Sequence, residues 1–222
     1  MEKAVILLSG GLDSCVSAAY AQQKYKSCAL TFEYGQTHKE IESAEKIAQK
    51  LNINLKLIKL NFLENFLKSK NESETPELES SELDDINITK ETMKQVWVPA
   101  RNLVFAAAAA SFAESESCSK IFVGFNAEEG LTFPDNTPEF VNKFNEILKF
   151  GALKEVEITA PLIDLDKEGI VKLGDELNAP MELSWSCYKE GDFHCGKCES
   201  CQRRKRGFKN AKVLDLTEYE KE

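Results

Sequence analysis

The stretch AVILLSGGLDS, residues 4–14, decides the fold. Its first five residues are apolar without interruption, which is typical of a strand buried on both faces of a parallel sheet. Residues 9–11, SGG, end this run. Asp13 and Ser14 then favour a helix that begins at once. A strand that passes through a glycine turn into a helix predicts the first half of a βαβ unit.

The same alternation continues along the chain. Residues 28–34 predict a second strand, residues 38–51 carry apolar side chains on one helical face, and residues 53–60 predict a third strand. Because parallel strands need crossover helices, this order predicts a doubly wound α/β fold with a mostly parallel sheet. The later elements expected are helices at 101–116, 138–150 and 167–177, strands at 120–125 and 155–158, and a short basic helix near the C-terminus.

Two segments depart from the α/β pattern. Residues 68–92 are acidic and lose the apolar period, and so long an insertion is uncommon inside a domain. We interpret it as a lid, with a partly disordered excursion as the alternative. After residue 180 the composition changes to a cysteine-rich tail. The sequence therefore predicts a nucleotide-binding domain over 1–180 and a metal-binding tail over 181–222.

Composition and charge exclude several classes of protein, namely those that need disulfides, bind nucleic acid or span a membrane. The 222 residues are 42% hydrophobic, enough for a core that needs no disulfides. The net charge of −9 repels a polyanion, so no nucleic acid partner is expected. The basic run at 203–206 is either an exception or a solvated helix face. No apolar run approaches the ~20 residues that span a bilayer, which predicts a cytoplasmic protein without a membrane contact.

Residues 8–14, here called the phosphate loop, are the first candidate binding site along the chain. Glycines let backbone amides converge on an anion beside the positive end of the following helix. The loop lacks the lysine of a Walker A motif and does not match GxGxxG. Asp13 among phosphates implies a bridging Mg²⁺, and Ser9 and Ser14 can donate hydrogen bonds to the same oxygens. An ordinary glycine turn with a helix cap is the alternative.

Four cysteines, Cys187, Cys195, Cys198 and Cys201, form a cysteine cluster in the tail. In a reducing compartment such a spacing indicates a metal site, and four thiolates around one Zn²⁺ leave no open position. We therefore expect one structural zinc per chain. The alternatives are a [4Fe–4S] cluster, a redox-active cysteine pair and inert packing. The adjacent His194 is expected to be an exposed histidine and not a fifth ligand.

Further candidates lie beside predicted strand ends, where α/β sheets bind ligands. Phe32, Tyr34, Gly35 and Gln36 follow the second strand and can form an adenine and ribose wall, although the two aromatic residues fit a core equally well. Arg101 begins a helix and can clamp phosphate or carboxylate, with a surface salt bridge as the alternative. Asn102 can donate a hydrogen bond beside these candidates.

Seven motifs carry a family resemblance beyond the phosphate loop. The loop SGGLDS resembles that of the ATP pyrophosphatase superfamily, and the chain is similar to the 7-cyano-7-deazaguanine synthase family of the queuosine pathway. The motifs are FEYGQTH (32–38), VPARN (98–102), GFNAEE (124–129), FPDNTPEFV (133–141), APL (160–162), SWSCY (184–188) and CGKCESC (195–201). Residues 130–136, GLTFPDN, depart from the family's serine–glycine–tyrosine–proline–aspartate–cysteine pattern and keep only Pro134 and Asp135. Substrate contacts made by the other residues of that loop therefore do not carry over from the family.

The resemblance implies a fold like that of the adenine nucleotide alpha hydrolases, an ATP-dependent reaction and a homodimer. The reaction would convert 7-carboxy-7-deazaguanine and ammonia into 7-cyano-7-deazaguanine through an adenylated carboxylate and an amide. Two rivals remain open: a tRNA thiolation enzyme of the same superfamily, which needs a catalytic cysteine, and a zinc-knuckle nucleic-acid-binding regulator.

Residue roles follow from the same resemblance. Glu128, Asp135 and Glu139 flank a loop where a carboxylate can meet the N–H donors of a deazapurine, and Lys167 has the position of a phosphate-binding lysine. A solvated helix start is the alternative for Lys167. The implied catalytic residues are Asp13, Arg101 and Lys167. The implied substrate residues are Arg101, Asn102, Glu128 and Asp135. The implied ATP-binding residues are Leu8, Ser9, Gly10, Gly11, Leu12, Asp13, Ser14, Phe32, Tyr34, Gly35 and Gln36.

Overall fold

A computed structural model of the protein describes residues 2–68 and 76–221, without the side chains of residues 66–68. Within these residues five parallel strands form one sheet, which confirms the predicted α/β class. The strands are β1 (Lys3–Leu7), β2 (Lys26–Glu33), β3 (Asn54–Lys59), β4 (Lys120–Phe122) and β5 (Glu157–Thr159).

Helices connect the strands as crossovers. The described helices are α1 (Leu12–Gln22), α2 (His38–Lys50), α3 (Asn61–Lys68), α4 (Ile86–Val96), α5 (Arg101–Glu116), α6 (Ala127–Gly130), α7 (Pro138–Gly151), α8 (Lys167–Glu176) and α9 (Glu199–Ala211). Short 3-10 turns occupy Pro134–Asn136 and Met181–Leu183. Helix α5 has the bounds that its sequence predicts, whereas α3, α4 and α6 were not predicted.

The order of the strands places the site. The sheet runs β3-β2-β1-β4-β5, so the chain first builds outward from β1 and then crosses to the other side at β4. Val5 of β1 pairs with Cys28 of β2 on one side and with Ile121 of β4 on the other. In doubly wound sheets the crevice outside the strands' carboxyl ends at this reversal is where ligands bind. The loops after β1 and β4 therefore bracket the expected site.

Two cores cover the two faces of the sheet. Ala4 and Ile6 pack into the core under α1, α2 and α8, while Val5 packs into the core under α5 and α7, as the two-residue period of a strand requires. All three side chains are completely buried, which confirms the prediction of a doubly buried first strand. No single helix in the described residues is long and apolar enough to cross a membrane; α4 and α5, bent by 60° at their break, pass that test only as a pair.

The acidic insertion and the tail pack against each other where the structure describes them. The Thr92 hydroxyl donates to a Glu199 carboxylate oxygen at 2.6 Å, and Arg206 pairs with Asp84 at 2.7 Å. Residues 69–75 of the expected lid lie outside the described residues, so the lid stays a prediction. The boundary at residue 180 also stays a prediction, although Met181 and Phe208 of the tail belong to the core that covers the sheet.

Candidate active site

A cavity of about 260 Å³ opens at the reversal between β1 and β4. It lies between the phosphate loop, the end of β2, the start of α5 and the first residues of the tail. Most of the residues predicted from the sequence line it. These are Leu8, Ser9, Gly11, Leu12, Asp13, Ser14, Phe32, Tyr34, Gln36, Arg101, Asn102 and Lys167.

Gly10 shapes the phosphate loop from outside the cavity. Its φ of +93° is favourable for glycine, and a Cβ at this position would lie 2.0 Å from the Glu40 carbonyl oxygen. The Gly10 carbonyl accepts a hydrogen bond from the Trp185 backbone N–H at 2.9 Å. Gly10 therefore lets the loop pack against both α2 and the tail. Gly35, with a φ of +96°, also lies outside the lining.

Serine hydroxyls hold the phosphate loop against the start of α1. The Ser14 hydroxyl donates to the Gly11 carbonyl at 2.9 Å, and the Ser9 hydroxyl donates to Ser14 Oγ at 3.1 Å. Gly11 is the N-cap of α1 and has no side chain to bond the amides of the first turn. These amides, at the positive end of the helix, can bind an anion.

Gly124, after β4, lets the second strand end approach the same loop. A Cβ there would lie 2.9 Å from the Ser14 backbone nitrogen and 3.0 Å from the Asp13 carbonyl carbon. The motif that contains it was part of the resemblance, but no role was predicted for this glycine. Its place directly after an apolar strand is the signal that could have found it.

Asp13 and Lys167 form a close ion pair in the cavity. Lys167 Nζ lies 2.5 Å from Asp13 Oδ2 and 3.4 Å from a Glu129 oxygen, and Asn126 Nδ2 donates to Asp13 Oδ2 at 3.2 Å. Burial raises the pKa of Asp13 to about 6, although the Lys167 ammonium acts in the opposite direction. Burial lowers the pKa of Lys167, but the carboxylates of Asp13 and Glu129 outweigh it, so the net pKa is raised.

The second carboxylate oxygen of Asp13 is free for a ligand. Asp13 Oδ1 is buried and accepts no hydrogen bond from the part of the chain that the structure describes. A buried acceptor without a partner is costly, which is why such atoms usually face water, an ion or a ligand. Its position beside the amides of α1 fits a divalent cation carried by a phosphate chain.

Arg101 supplies a further positive charge to the cavity. Its Nη1 donates to the Tyr34 hydroxyl at 3.2 Å, and its guanidinium carbon lies 5.8 Å from the centre of the Tyr34 ring. Tyr34 and a nearby carboxylate, Glu40, raise the pKa of Arg101 despite its burial. Within residues 2–68 and 76–221 no carboxylate oxygen lies within 4.0 Å of it. Arg101 is therefore a charged donor without an ion-pair partner, suited to an anionic ligand.

Phe32 and Tyr34 fit both interpretations of their sequence, as core residues and as a wall of the binding site. The rings of Phe32 and Phe105 stack with centroids 4.4 Å apart, and Tyr34 meets Phe105 edge-on. Phe32 and Tyr34 are buried core residues that also line the cavity. The Gln36 side chain accepts from the Tyr34 backbone N–H at 2.9 Å and donates to the Phe32 carbonyl. Gln36 thus holds the turn that presents these rings.

Two predicted substrate residues are not among the lining residues. Glu128 accepts hydrogen bonds from the Lys167 backbone N–H at 2.9 Å and from Arg203 Nη1 at 2.7 Å. Its neighbour Glu129 faces the cavity instead, because consecutive helical residues point in directions about 100° apart. Asp135 is buried behind the lining, hydrogen-bonded to Asn102, and burial raises its pKa.

The tail supplies a wall that sequence reasoning missed. The unpredicted lining residues are Leu7, Leu30, Thr31, Glu40, Phe105, Val123, Gly124, Phe125, Glu129, Asn136, Trp185, Ser186, Tyr188, Ser200 and Arg204. Trp185 Nε1 and Thr31 Oγ1 are buried and have no hydrogen-bond partner among the described residues. Both atoms belong to lining residues and can bond a ligand. The SWSCY motif was the signal, but no binding role was assigned to it.

The cysteine cluster has a geometry that could hold a metal ion. The four Sγ atoms lie within 4.8 Å of one another, and all four residues are buried. Cys195 Sγ and Cys201 Sγ are 4.0 Å apart, while sulfurs at ~2.3 Å from a tetrahedral zinc would be about 3.8 Å apart. Backbone N–H groups of Lys189 and Cys195 donate to Cys187 Sγ, as suits a thiolate. The cluster can therefore bind a metal ion.

His194 is not the exposed histidine that we expected. It is buried, its ring lies 4.2 Å from the ring of Trp185, and its Nε2 accepts a hydrogen bond from the Ser186 backbone N–H at 2.9 Å. The prediction of exposure was wrong because the tail folds back over the ring. Burial lowers the pKa of His194 to about 4, so the ring is neutral and serves the packing of the site wall.

Comparisons with known proteins agree along nearly the whole chain. The family model described as "Queuosine biosynthesis protein QueC" matches residues 3–212. A protein of Methanocaldococcus jannaschii named 7-cyano-7-deazaguanine synthase is 50% identical over 230 residues, covering 98% of this chain and 99% of that protein. One of the same name from Methanococcus maripaludis is 48% identical over 229 residues, covering 98% of each.

A solved structure supports the fold. It is described as a predicted subunit of tRNA methyltransferase from Methanocaldococcus jannaschii and superposes with a TM-score of 0.50 at 18% identity. The match covers 79% of this chain and 76% of that chain. At this identity the likeness concerns the fold alone.

Proposed function

The chain belongs to the queuosine biosynthesis protein QueC family, and from that premise we propose that it converts 7-carboxy-7-deazaguanine and ammonia into 7-cyano-7-deazaguanine at the expense of ATP. One observation carries the proposal. A single cavity is lined by the phosphate loop with its Asp13–Lys167 pair and by the guanidinium of Arg101, which has no ion-pair partner among the described residues. Such a cavity offers cationic and amide donors to both a phosphate chain and a carboxylate.

The first half of the reaction makes the carboxylate reactive. A carboxylate is a poor electrophile, and transfer of AMP to one of its oxygens creates a good leaving group. The amides of the phosphate loop bind the pyrophosphate, and Arg101 draws the substrate carboxylate toward the α-phosphate. Lys167 keeps its proton beside Asp13 and offsets the charge that develops on departing pyrophosphate. Mg²⁺ bound with ATP would add to this neutralisation, and Asp13 Oδ1 is the atom that fits it.

The second half introduces nitrogen. Ammonia displaces AMP to give the amide, and a second activation of the amide oxygen followed by elimination gives the nitrile. The cavity lining in the described residues contains no cysteine or histidine, so the proposed chemistry uses binding and charge and no covalent nucleophile. This lining also disfavours tRNA thiolation, which needs a catalytic cysteine. The net charge of −9 disfavours a nucleic-acid-binding regulator.

The remaining features of the proposal concern cofactors and assembly. The cysteine cluster would hold one zinc ion, whose contribution is structural because four sulfurs complete its coordination. We propose a cytoplasmic enzyme that acts on small molecules and forms a homodimer. Support for a dimer comes from Phe150 near the end of α7 and Leu153 just after that helix, which are 93% and 100% exposed beside the exposed Ile147.

The adenylation half can be tested on its own. Wild-type protein is incubated with labelled ATP, with and without 7-carboxy-7-deazaguanine, in the absence of ammonium. Release of pyrophosphate that depends on the acid supports the proposal. Release that depends on tRNA and a sulfur donor would support the thiolation rival.

A further inference from the structure

Three carboxylates line the cavity, and their partners differ. Asp13 and Glu129 both bond Lys167 Nζ, at 2.5 and 3.4 Å. The Glu40 carboxylate makes no hydrogen bond and no ion pair with any residue of 2–68 or 76–221. Glu40 is therefore the lining carboxylate that remains available to a ligand.

Glu40 lies next to the reacting groups of the proposed function. It belongs to the first turn of α2, and its backbone carbonyl packs against Gly10 of the phosphate loop. The charged and titratable groups that face its carboxylate are Arg101 of α5, Tyr34 after β2 and Glu190 of the tail. Arg101 lies more than 4.0 Å away from it; both side chains line the cavity, and neither has an ion-pair partner among the described residues.

Proton balance makes an acceptor necessary. Ammonium must lose one proton before its nitrogen can attack the adenylated carboxyl carbon. When the C–N bond forms and the C–O bond to AMP breaks, the nitrogen loses a second proton and becomes an amide. After the amide oxygen is activated, its C–O bond breaks, the last two N–H protons leave, and the nitrogen lone pair completes the triple bond. Each of these protons must be taken up near the reacting carbon and passed on to water before the next one leaves, since one carboxylate accepts one proton at a time.

We propose that Glu40 is the catalytic base that binds ammonium and takes the protons released from its nitrogen as the amide and then the nitrile form. This inference rests on the proposed function. The anionic carboxylate attracts the ammonium cation, and its free oxygens can accept an N–H hydrogen bond in line for proton transfer. The Arg101 guanidinium meanwhile binds the negatively charged phosphate of the adenylated acid. Ammonium at Glu40 and the adenylated acid at Arg101 therefore meet between these two side chains.

The titration of Glu40 is compatible with this role. Burial raises the pKa of its carboxyl to about 7, with the Glu190 carboxylate adding to the rise and Arg101 opposing it. A base whose pKa lies near the working pH combines a useful fraction of the ionised form with a useful affinity for the proton.

The test compares Glu40→Gln with Glu42→Gln as a matched control. Glu42 lies on the same helix, is exposed and forms a surface ion pair with Lys39. Glu40→Gln keeps the shape but cannot accept a proton, so kcat for nitrile formation should fall by about 10²-fold, while Glu42→Gln should retain the wild-type rate. ATP affinity, measured by calorimetry, should stay the same. The wild-type rate should rise with pH through about 7, and Glu40→Gln should lose this rise.

A second assay starts from the amide, 7-amido-7-deazaguanine, and so measures nitrile formation separately from amide formation. The proposal predicts a loss of the same order for Glu40→Gln with this compound, because two protons still leave its nitrogen. If the variant instead raised the KM for the deazapurine acid at unchanged kcat, Glu40 would be a base-recognition residue and the proposal would be overturned. A loss confined to ATP binding would overturn it equally.

Two further outcomes separate this inference from the function on which it rests. Should wild-type protein form no nitrile, the proposed function fails and the inference fails with it. Should wild-type protein form the nitrile and a folded Glu40→Gln match its rate, only the inference fails. If Glu40→Gln does not fold, Glu40→Asp decides: part of the rate with the pH rise retained supports the inference, and a rate independent of pH overturns it.

Discussion

The Glu128 carboxylate and the Arg203 guanidinium meet at 2.7 Å, and this contact joins α9, which begins within the cysteine cluster, to α6. The other oxygen of Glu128 accepts the backbone N–H of Lys167 at 2.9 Å. Lys167 in turn reaches Asp13 in the phosphate loop. The tail with the cysteine cluster and the phosphate loop are therefore connected by hydrogen bonds through residues that are distant in sequence.

Breaking this connection should cost more than removing a surface ion pair. The side chains of Arg203 and Glu128 are only 13% and 12% exposed, so Arg203→Met leaves a largely buried carboxylate with fewer partners and should destabilise the protein by about 3 kcal/mol. The control Lys172→Met removes an exposed pair with Glu168 and should cost under about 0.5 kcal/mol. Urea unfolding measures both, and equal losses would contradict the importance of the contact.

Asp13→Asn should leave the fold intact and lower turnover by about 10²-fold or more, because both the partner charge of Lys167 and the free oxygen for a cation are altered. The exposed Asp175→Asn on α8 is the matched control and should keep the wild-type rate. Steady-state kinetics at saturating Mg²⁺ and ATP check this, and a near-normal rate for Asp13→Asn would refute the assigned role.

Elemental analysis should find about one zinc ion per chain, bound by the cysteine cluster. Cys198→Ser should lose the metal and loosen the tail, whereas Cys28→Ser, outside the cluster, should retain it. Hydrogen exchange after chelation should report opening of α9 before opening of the sheet. Absence of zinc, or an iron–sulfur absorption band in protein prepared without oxygen, would contradict this prediction.

Asp135→Asn should raise the KM for the deazapurine acid or lower kcat, and leave ATP affinity nearly unchanged. Asp135 is hydrogen-bonded to Asn102, which lines the cavity next to Arg101, so the change should act through the position of Asn102. Calorimetry with ATP and kinetics with the acid measure the two effects. Weaker ATP binding alone would assign this loop to the nucleotide.

The fold could be predicted where local pattern and burial agree. The apolar run of β1 indicates a buried strand and the alanine-rich segment of α5 indicates a helix. Both elements were predicted to within one residue of their observed bounds. Helix α4 was missed because its residues sit in an acidic stretch, where contacts with α9 stabilise a helix that the apolar period does not indicate. Helix α4 therefore depends on tertiary packing, which the local sequence pattern does not show.

The site could be predicted where it is local in sequence and where a family motif carries it, as at Arg101, Asn102 and Lys167. The phosphate loop is one continuous segment, and Gly11, Asp13 and Ser14 all face the cavity. Glu40 and Trp185 reach it from α2 and the tail, and no spacing rule connects them to the loop. Glu128 was predicted to contact the substrate, but its neighbour Glu129 is the residue that lines the cavity. Helix α6 has only four residues, too few for an apolar period that would show which side chain faces inward.

The most direct measurement is the product formed from nitrogen-labelled ammonium, ATP and 7-carboxy-7-deazaguanine, analysed by mass spectrometry. We predict 7-cyano-7-deazaguanine that carries the label, with a labelled amide as intermediate, no product when ATP is omitted, and formation slowed by about 10²-fold or more when Asp13→Asn replaces the wild type. An unchanged acid in the presence of all three reactants and metal-loaded protein would contradict it.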